Sequence, residues 1–168
     1  MATATPPRVV VADDSAMMRQ IVSSSLSRAG IQVVGSAANG DDALTVCERE
    51  RPDALMLDLT MPGLDGIGVL KALRRQGRSD MPVVVVSAFS PEHGARAVDA
   101  LAAGAFDLVA KPAIGEGLDQ FAVQLVAKVE AATAATAGRQ SPLGAGLSGA
   151  PKAPATARSA VSFHCPLT

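Results

Sequence analysis

The sequence of 168 residues has few aromatic side chains and almost no net charge. It contains no tryptophan, no tyrosine and four phenylalanines, so its core must be aliphatic and base stacking on aromatic rings is poorly supplied. The formal net charge of -1 at pH 7 creates no bulk field that would hold nucleic acid or an anionic membrane. We therefore predict no nucleic-acid partner for this chain.

Long hydrophobic runs and paired cysteines are also missing. No apolar run approaches the roughly 20 residues that span a bilayer, so membrane insertion is not predicted. The N-terminal residues lack the charged segment followed by a long apolar one that marks a signal peptide. Cys47 and Cys165 match no metal-ligand spacing and are predicted to be free thiols. The expectation is a cytoplasmic protein with one folded domain.

Short apolar runs alternate strictly with segments of helical periodicity. The runs, which are rich in Val, Leu and Met, are predicted to be strands at residues 8–12, 32–37, 54–59, 82–87 and 106–110. The segments that follow them are predicted to be helices at residues 15–29, 41–50, 65–76, 92–103 and 116–132. Continuous apolar strands are typical of parallel strands with helices on both faces. The sequence thus predicts an α/β fold: a flavodoxin-like, doubly wound, five-stranded parallel sheet of order 2-1-3-4-5 with five flanking helices.

The composition changes after about residue 130. Residues 131–168 are dominated by Ala, Gly, Pro, Ser and Thr, and they contain no Asp or Glu. Such a segment has too little apolar surface to offset the entropy lost on ordering it. We therefore predict a folded domain at residues 7–130 and a flexible linker or tail at residues 131–168.

Polar side chains stand at the ends of four predicted strands. They are Asp13, Asp14, Asp58, Ser87 and Lys111. Because functional residues of an open parallel sheet gather beyond the carboxyl ends of its strands, we expect these side chains to converge on one edge. Each has an ordinary structural role when taken alone, such as helix capping by an acid, so their conjunction is what predicts a site.

The three acids of this set predict magnesium-dependent chemistry. Clustered carboxylates repel one another unless a cation joins them, and Mg²⁺ takes one or two carboxylates while keeping several waters. A bound Mg²⁺ bridges to phosphoryl oxygens, and Lys111 and Ser87 suit contact with the same group. Carboxylates form aspartyl phosphates, and Asp58 is the predicted nucleophile because it arises singly from the central strand. Asp13 and Asp14 then form the metal-binding pair.

Four segments at the predicted edge carry a resemblance to a known family. They are Asp13–Ser15, residues 58–66 (D-L-T-M-P-G-L-D-G), Ser87–Ala88 and Lys111–Pro112. Together they resemble the receiver domain of bacterial response regulators, and the resemblance covers about residues 7–130. Within that family, residues 13–19 and 104–112 are most similar to the receiver half of chemotaxis protein-glutamate methylesterases.

The resemblance implies a role for each of the acids. Asp58 would accept a phosphoryl group from a partner histidine kinase. Asp13, Asp14 and Asp58 would bind Mg²⁺, and the backbone carbonyl of Thr60 would complete the protein ligands. The chain would then act in two-component signalling, of the chemotaxis type.

The resemblance also implies a conformational switch. Ser87 and Lys111 would contact the phosphoryl group, and the Lys111–Pro112 bond would be cis. Phosphorylation would draw Ser87 inward and bias the surface formed by the fourth helix, the fifth strand and the fifth helix. The chain departs from the family at Leu108, where an aromatic residue is common; Phe106, two positions away, would face the same side of the strand.

Two other functions compete with this interpretation. A Mg²⁺-dependent phosphatase of the haloacid-dehalogenase type also uses an aspartyl nucleophile, but it would need a D-x-D motif, whereas Asp13 and Asp14 are adjacent. A phosphorylation-independent binding module would lack Asp58, Lys111 or the acid pair, and all are present.

The chain has no G-x-S-x-G elbow of the serine-hydrolase type. We therefore expect no enzyme activity beyond its own phosphotransfer and dephosphorylation. A methylesterase domain, or another effector, would be a partner supplied from outside this sequence.

Overall fold

The computed structural model describes residues 4–88, 91–113, 115 and 117–140. Within them, five strands alternate with five helices, and their bounds lie within two residues of the predicted ones except at the last helix end. The strands are β1 (Arg8–Ala12), β2 (Gln32–Ala37), β3 (Ala54–Asp58), β4 (Val83–Ser87) and β5 (Asp107–Ala110). The helices are α1 (Ala16–Arg28), α2 (Gly40–Glu50), α3 (Gly66–Arg75), α4 (Pro91–Ala102) and α5 (Leu118–Gln140).

The five strands form one parallel sheet of order β2-β1-β3-β4-β5, which confirms the predicted fold class and strand order. Asp58 pairs in register with Val86, and Ser87 pairs with Ala110. Because the strands run in the same direction, their carboxyl ends share one edge of the sheet. The order places β3 at the centre, so Asp58 ends the middle strand of that edge.

Helices cover both faces of the sheet, which explains the continuous apolar runs. Alternate side chains of a strand point to opposite faces, and each face here has its own buried cluster. One face packs against α2, α3 and α4 through side chains that include Val10, Leu55, Leu57 and Val85. The other packs against α1 and α5 through side chains that include Val9, Val11, Met56 and Val84. All five residues of β3 are buried.

The residues before the first three helices cap them. Ser15, Asn39 and Asp65 each accept a hydrogen bond from the backbone amide three residues later, over 3.3, 2.8 and 2.8 Å. A side-chain oxygen at this position satisfies an amide that has no partner within the helix. These caps set where α1, α2 and α3 begin.

The helix α5 is longer than predicted. It continues to Gln140 instead of ending at residue 132, so the first ten residues of the predicted flexible segment 131–168 are helical, as far as residue 140. Alanine has the highest helix propensity, and Ala132 is fully buried in the core. The Thr136 hydroxyl also donates to the backbone carbonyl of Ala132 over 3.1 Å. The rest of the segment, 141–168, lies outside the described residues.

The structure also bears on the predictions about membrane insertion and the cysteines. Among the described helices, none has both the length and the hydropathy to cross a membrane. Cys47, on the buried face of α2, is a free thiol, and burial raises its pKa to about 11, although Arg78 opposes that rise. Cys165 lies outside the described residues.

Candidate functional site

The structure gathers the predicted side chains at the carboxyl edge of the sheet. Asp13 directly follows β1, Asp58 ends β3, Ser87 ends β4 and Lys111 directly follows β5. The backbone amide of Lys111 donates to the carbonyl of Ser87 over 2.8 Å, which continues the ladder between β4 and β5. The backbone pairing of the strands therefore places each of these residues at this edge, independently of the contacts that their side chains make.

Lys111 joins two of the acids. Its Nζ atom lies 2.7 Å from Oδ2 of Asp13 and 3.1 Å from Oδ2 of Asp58. The lysine side chain is 17% exposed and the two acid side chains are 4% and 5% exposed, so both pairs are shielded from bulk water. One ammonium thus offsets part of the charge of two buried carboxylates.

The acids form a set that fits a divalent cation. One carboxylate oxygen from each of Asp13, Asp14 and Asp58 can be chosen so that all three lie within 4.8 Å of one another. Asp13 and Asp58 are buried, whereas Asp14 is exposed. Oxygen ligands of this kind suit Mg²⁺, which retains waters on its open positions. The residues present therefore fit the cofactor that the sequence predicted.

Thr60 lies directly beside these acids. Its backbone amide donates to Oδ1 of Asp58 over 3.3 Å, and the residue is exposed at the edge of the sheet. Ser87 is buried at the same edge, and within the described residues its hydroxyl donates to the carbonyl of Ala88 over 3.4 Å. Thr60 is thus exposed and Ser87 buried at the edge that carries the acids.

The environment of the site raises the pKa values of both Asp58 and Lys111. Burial raises the pKa of Asp58 and the negative charge of Asp13 raises it further, while Lys111 opposes both effects. Burial opposes the charge on Lys111, but its hydrogen bond to Asp13 and its attraction to Asp58 outweigh that effect and raise the pKa of the lysine. Lys111 is therefore a permanent cation, and Asp58 is a more basic carboxylate than an exposed aspartate.

Close backbone packing holds the β3–α3 loop, which comprises residues 59–65. A Cβ atom added at Gly66 would lie 2.5 Å from the carbonyl oxygen of Asp58, so α3 begins directly against the end of β3. A Cβ atom at Gly40 would clash with the carbonyl of Leu64, so the start of α2 also packs on the loop. Glycine is required at both positions because the backbones meet there.

Arg19, which the strand-end motifs do not predict, also belongs to the site. Its Nη1 atom donates to the backbone carbonyls of Asp13 and Asp14, over 2.7 and 3.3 Å. The guanidinium therefore holds the turn that carries two of the acids. The position of Arg19 in the sequence could have indicated this contact, since the residue lies in the first turn of the helix that follows the acid pair.

One expectation from the family resemblance is wrong. The Lys111–Pro112 peptide bond is trans, and no peptide bond among the described residues is cis. Trans is the intrinsically favoured isomer of an X–Pro bond, by about 0.5–1 kcal/mol. Lys111 reaches both acids with this isomer, because its position is set by its hydrogen bond to Ser87.

Leu108 and Phe106, the positions at which the chain departs from the family, differ in burial. Leu108 is partly buried against the core, whereas the Phe106 side chain is exposed. Phe106 directly precedes β5, and its backbone amide donates to the carbonyl of Val83 in β4 over 2.8 Å.

The fold and the edge residues define the class of protein. Residues 9–122 match the family described as the response regulator receiver domain, and the chain belongs to that family. It is thus a receiver domain of a two-component response regulator, as the sequence motifs predicted.

The relatives indicate which response regulators it resembles. The chain is 47% identical, over 140 residues, to protein-glutamate methylesterase/protein-glutamine glutaminase 5 of Myxococcus xanthus; the match covers 82% of this chain and 40% of that protein. It is 41% identical to the enzyme numbered 2 of Koribacter versatilis, with 78% of this chain and 36% of the relative covered. The chain therefore spans about two fifths of the length of these relatives.

Solved structures of receiver domains are also similar to this chain. The response regulator domain of Thermotoga maritima CheB is 33% identical with a TM-score of 0.69, and the match covers 77% of this chain and 97% of that one. The receiver domain of a response regulator named NarL, from Mycobacterium tuberculosis, is 30% identical with a TM-score of 0.67, over 78% of this chain and 98% of that one. The predicted likeness to the receiver half of a chemotaxis methylesterase is confirmed.

Proposed function

We propose that this chain is a phosphorylation-controlled receiver that accepts a phosphoryl group on Asp58 from a sensor histidine kinase. Mg²⁺ would be bound by Asp13, Asp14 and Asp58 together with the backbone carbonyl of Thr60. The observation that carries the proposal is the contact of one lysine, Lys111, with two buried acids inside a cluster of three carboxylates. The haloacid-dehalogenase and binding-module alternatives account for only part of that arrangement.

The transfer step uses the chain's own groups in defined roles. A carboxylate oxygen of Asp58 forms a bond to phosphorus, while the P–N bond of the donor phosphohistidine breaks and its electron pair stays on the imidazole. Mg²⁺, when bound, offsets the negative charge of the phosphoryl oxygens. The ammonium of Lys111 and the hydroxyl of Ser87 contact those oxygens.

The signal is a change in packing at the surface of α4, β5 and α5. The aspartyl phosphate adds charge and hydrogen-bond acceptors next to Ser87, which connects directly to the residues before α4. We propose that the reader of this change is a methylesterase domain of the kind found in the relatives, or another effector, and that signalling is of the chemotaxis type. The chain would work in the cytoplasm and would catalyse only its own phosphotransfer and dephosphorylation.

The experiment is phosphorylation by a small acyl phosphate in the presence of Mg²⁺. Intact-protein mass spectrometry should show one added phosphoryl group that is lost on standing, because an aspartyl phosphate is an acyl phosphate and hydrolyses. The adduct should be absent from Asp58→Asn and from wild-type protein without the metal. Asp80→Asn, at an exposed acid in the turn that precedes β4 and so at the opposite end of the strand from Ser87, should be labelled like wild type.

Two results would contradict the proposal. An adduct that persists in Asp58→Asn would place the acceptor elsewhere. Continuous release of phosphate from simple phosphate esters would instead support the phosphatase.

A further inference from the structure

An ion pair joins α4 to the cap of α3. The guanidinium of Arg96, on α4, donates from Nη2 to Oδ2 of Asp65 over 2.9 Å. The other oxygen of the same carboxylate, Oδ1, accepts the backbone amide of Gly68 over 2.8 Å. Asp65 therefore divides its two oxygens between starting α3 and binding α4. Of the ion pairs in the described part of the chain, this one connects α4 with the β3–α3 loop.

The cap of α3 lies on the backbone that carries the site. The amide of Gly66 donates to the carbonyl of Leu59 over 3.1 Å, which closes the loop, and a Cβ atom added at Gly66 would lie 2.5 Å from the carbonyl oxygen of Asp58, so the two backbones are close. Within the same loop, Thr60 hydrogen-bonds to the carboxylate of Asp58. A shift of the first turn of α3 is therefore transmitted to the residues proposed to bind the cation.

We propose that Arg96 is a positioning residue for Mg²⁺: by holding Asp65, it keeps the β3–α3 loop in the arrangement in which Asp58 and the Thr60 carbonyl face the ion. This inference rests on the proposed function and deepens it. The pair is 38% and 37% exposed, so water and salt weaken it. We therefore expect its loss to weaken Mg²⁺ binding by about two- to fivefold, the range of an exposed ion pair.

A simple charge effect makes a different prediction. Removing the positive charge of Arg96 by electrostatics alone would strengthen Mg²⁺ binding, whereas removing the negative charge of Asp65 would weaken it. Loss of the contact weakens binding in both variants, because either change frees the loop. The sign of the effect in Arg96→Gln thus separates positioning from bulk electrostatics.

The experiment measures Mg²⁺ binding directly, without phosphorylation. The chain has no tryptophan, so the titration follows the NMR shift of the Thr60 amide at low salt. The variants are Arg96→Gln, Asp65→Asn and the double variant. Asparagine keeps a side-chain oxygen for the cap of α3 but turns an amide nitrogen toward the guanidinium. Arg75→Gln is the matched control, since Arg75 is an exposed arginine of α3 without an ion pair among the described residues.

Both single variants should weaken Mg²⁺ binding by about two- to fivefold, and the double variant should be no weaker than either single one, because all three lose the same contact. Arg96→Lys should recover part of the loss, and added salt should reduce the difference between wild type and Arg96→Gln. Arg75→Gln should bind like wild type. Thermal unfolding of each variant checks that the fold is retained.

The inference is overturned if Arg96→Gln binds Mg²⁺ as well as or better than wild type, or if the two single effects add in the double variant. If wild type takes a phosphoryl group with Mg²⁺ while the variants match it in metal affinity, the positioning role fails and the proposed function stands. If wild type binds no Mg²⁺, both fail.

Discussion

At the scale of single residues, Lys111 carries the most information about the site. It is the cation that allows Asp13 and Asp58 to be buried together, and the same charge is suited to an incoming phosphoryl group. Sequence motifs were sufficient to identify these three residues, because each stands where an apolar strand ends. They were insufficient for Arg19, which acts through backbone carbonyls that no side-chain motif records.

We expect Lys111→Met to destabilise the protein at pH 7 by about 3 kcal/mol, because it leaves two buried carboxylates without a partner. Without the lysine, the pKa of Asp58, already raised by burial, rises further. An acid with a raised folded-state pKa stabilises the fold only at low pH and loses that contribution as pH rises through the folded value. The deficit should therefore be large at pH 7 and small near pH 4.

Urea unfolding at several pH values measures this deficit. Mg²⁺ should recover part of the stability of Lys111→Met at pH 7, since the ion replaces the missing positive charge. Lys71→Met, at an exposed lysine of α3, removes the same charge away from the acids. The interpretation fails if the two variants lose equal stability.

At the scale of elements, sequence patterns placed nearly every strand and helix, and the error lies at the end of α5. The low-complexity composition predicts a flexible segment after residue 130. Alanine-rich sequence also has high helix propensity, however, and here Val129 and Ala132 still pack against the sheet. Composition does not show whether one face of such a segment has a surface to pack against. That information belongs to the tertiary structure.

A second feature at this scale is the attachment of α5 to β5. The Nζ atom of Lys128 lies 2.8 Å from Oδ1 of Asp107 and also donates to the carbonyl of Leu108. Burial acts to raise the pKa of Asp107, but its hydrogen bond from Lys128 and its other contacts outweigh this and lower it. The pair therefore ties the last helix to the edge strand.

Asp107→Asn should cost about 0.5 kcal/mol at pH 7, a small value because the pair is partly exposed and screened. Since the folded-state pKa is lowered, the contribution is present above the unfolded value of about 4 and is lost as pH falls through the folded value. Wild type and variant should therefore differ in unfolding free energy at pH 7 and converge in acid. A difference that persists at the lowest pH would show that charge is not the cause.

At the scale of the whole molecule, the fold followed from the sequence because the signals agreed: strict alternation, continuous apolar strands and polar strand ends all require one doubly wound sheet. The isomer of the Lys111–Pro112 bond did not follow, because a family resemblance transfers residue types more reliably than local backbone geometry.

Cys47 offers a probe of the whole fold. It is fully buried and burial raises its pKa to about 11, so the reactive thiolate is scarce at neutral pH and reagents reach it only when the core opens. The rate of alkylation of Cys47 at pH 7.5, read by peptide mass spectrometry to separate it from Cys165, should be slow in wild type. It should rise in Lys111→Met. Equal rates in folded and urea-unfolded protein would contradict the burial.

The continuation of α5 to Gln140 has a mechanical consequence. A helix of 23 residues is a rod roughly 34 Å long. Lys128, near the middle of this rod, is held by β5, and the buried side chains of the helix end at Ala132, so we expect a tilt of a few degrees to displace the far end by ångströms. A domain joined beyond residue 140 would thus receive the switch as movement of its attachment point as well as through a change in surface chemistry.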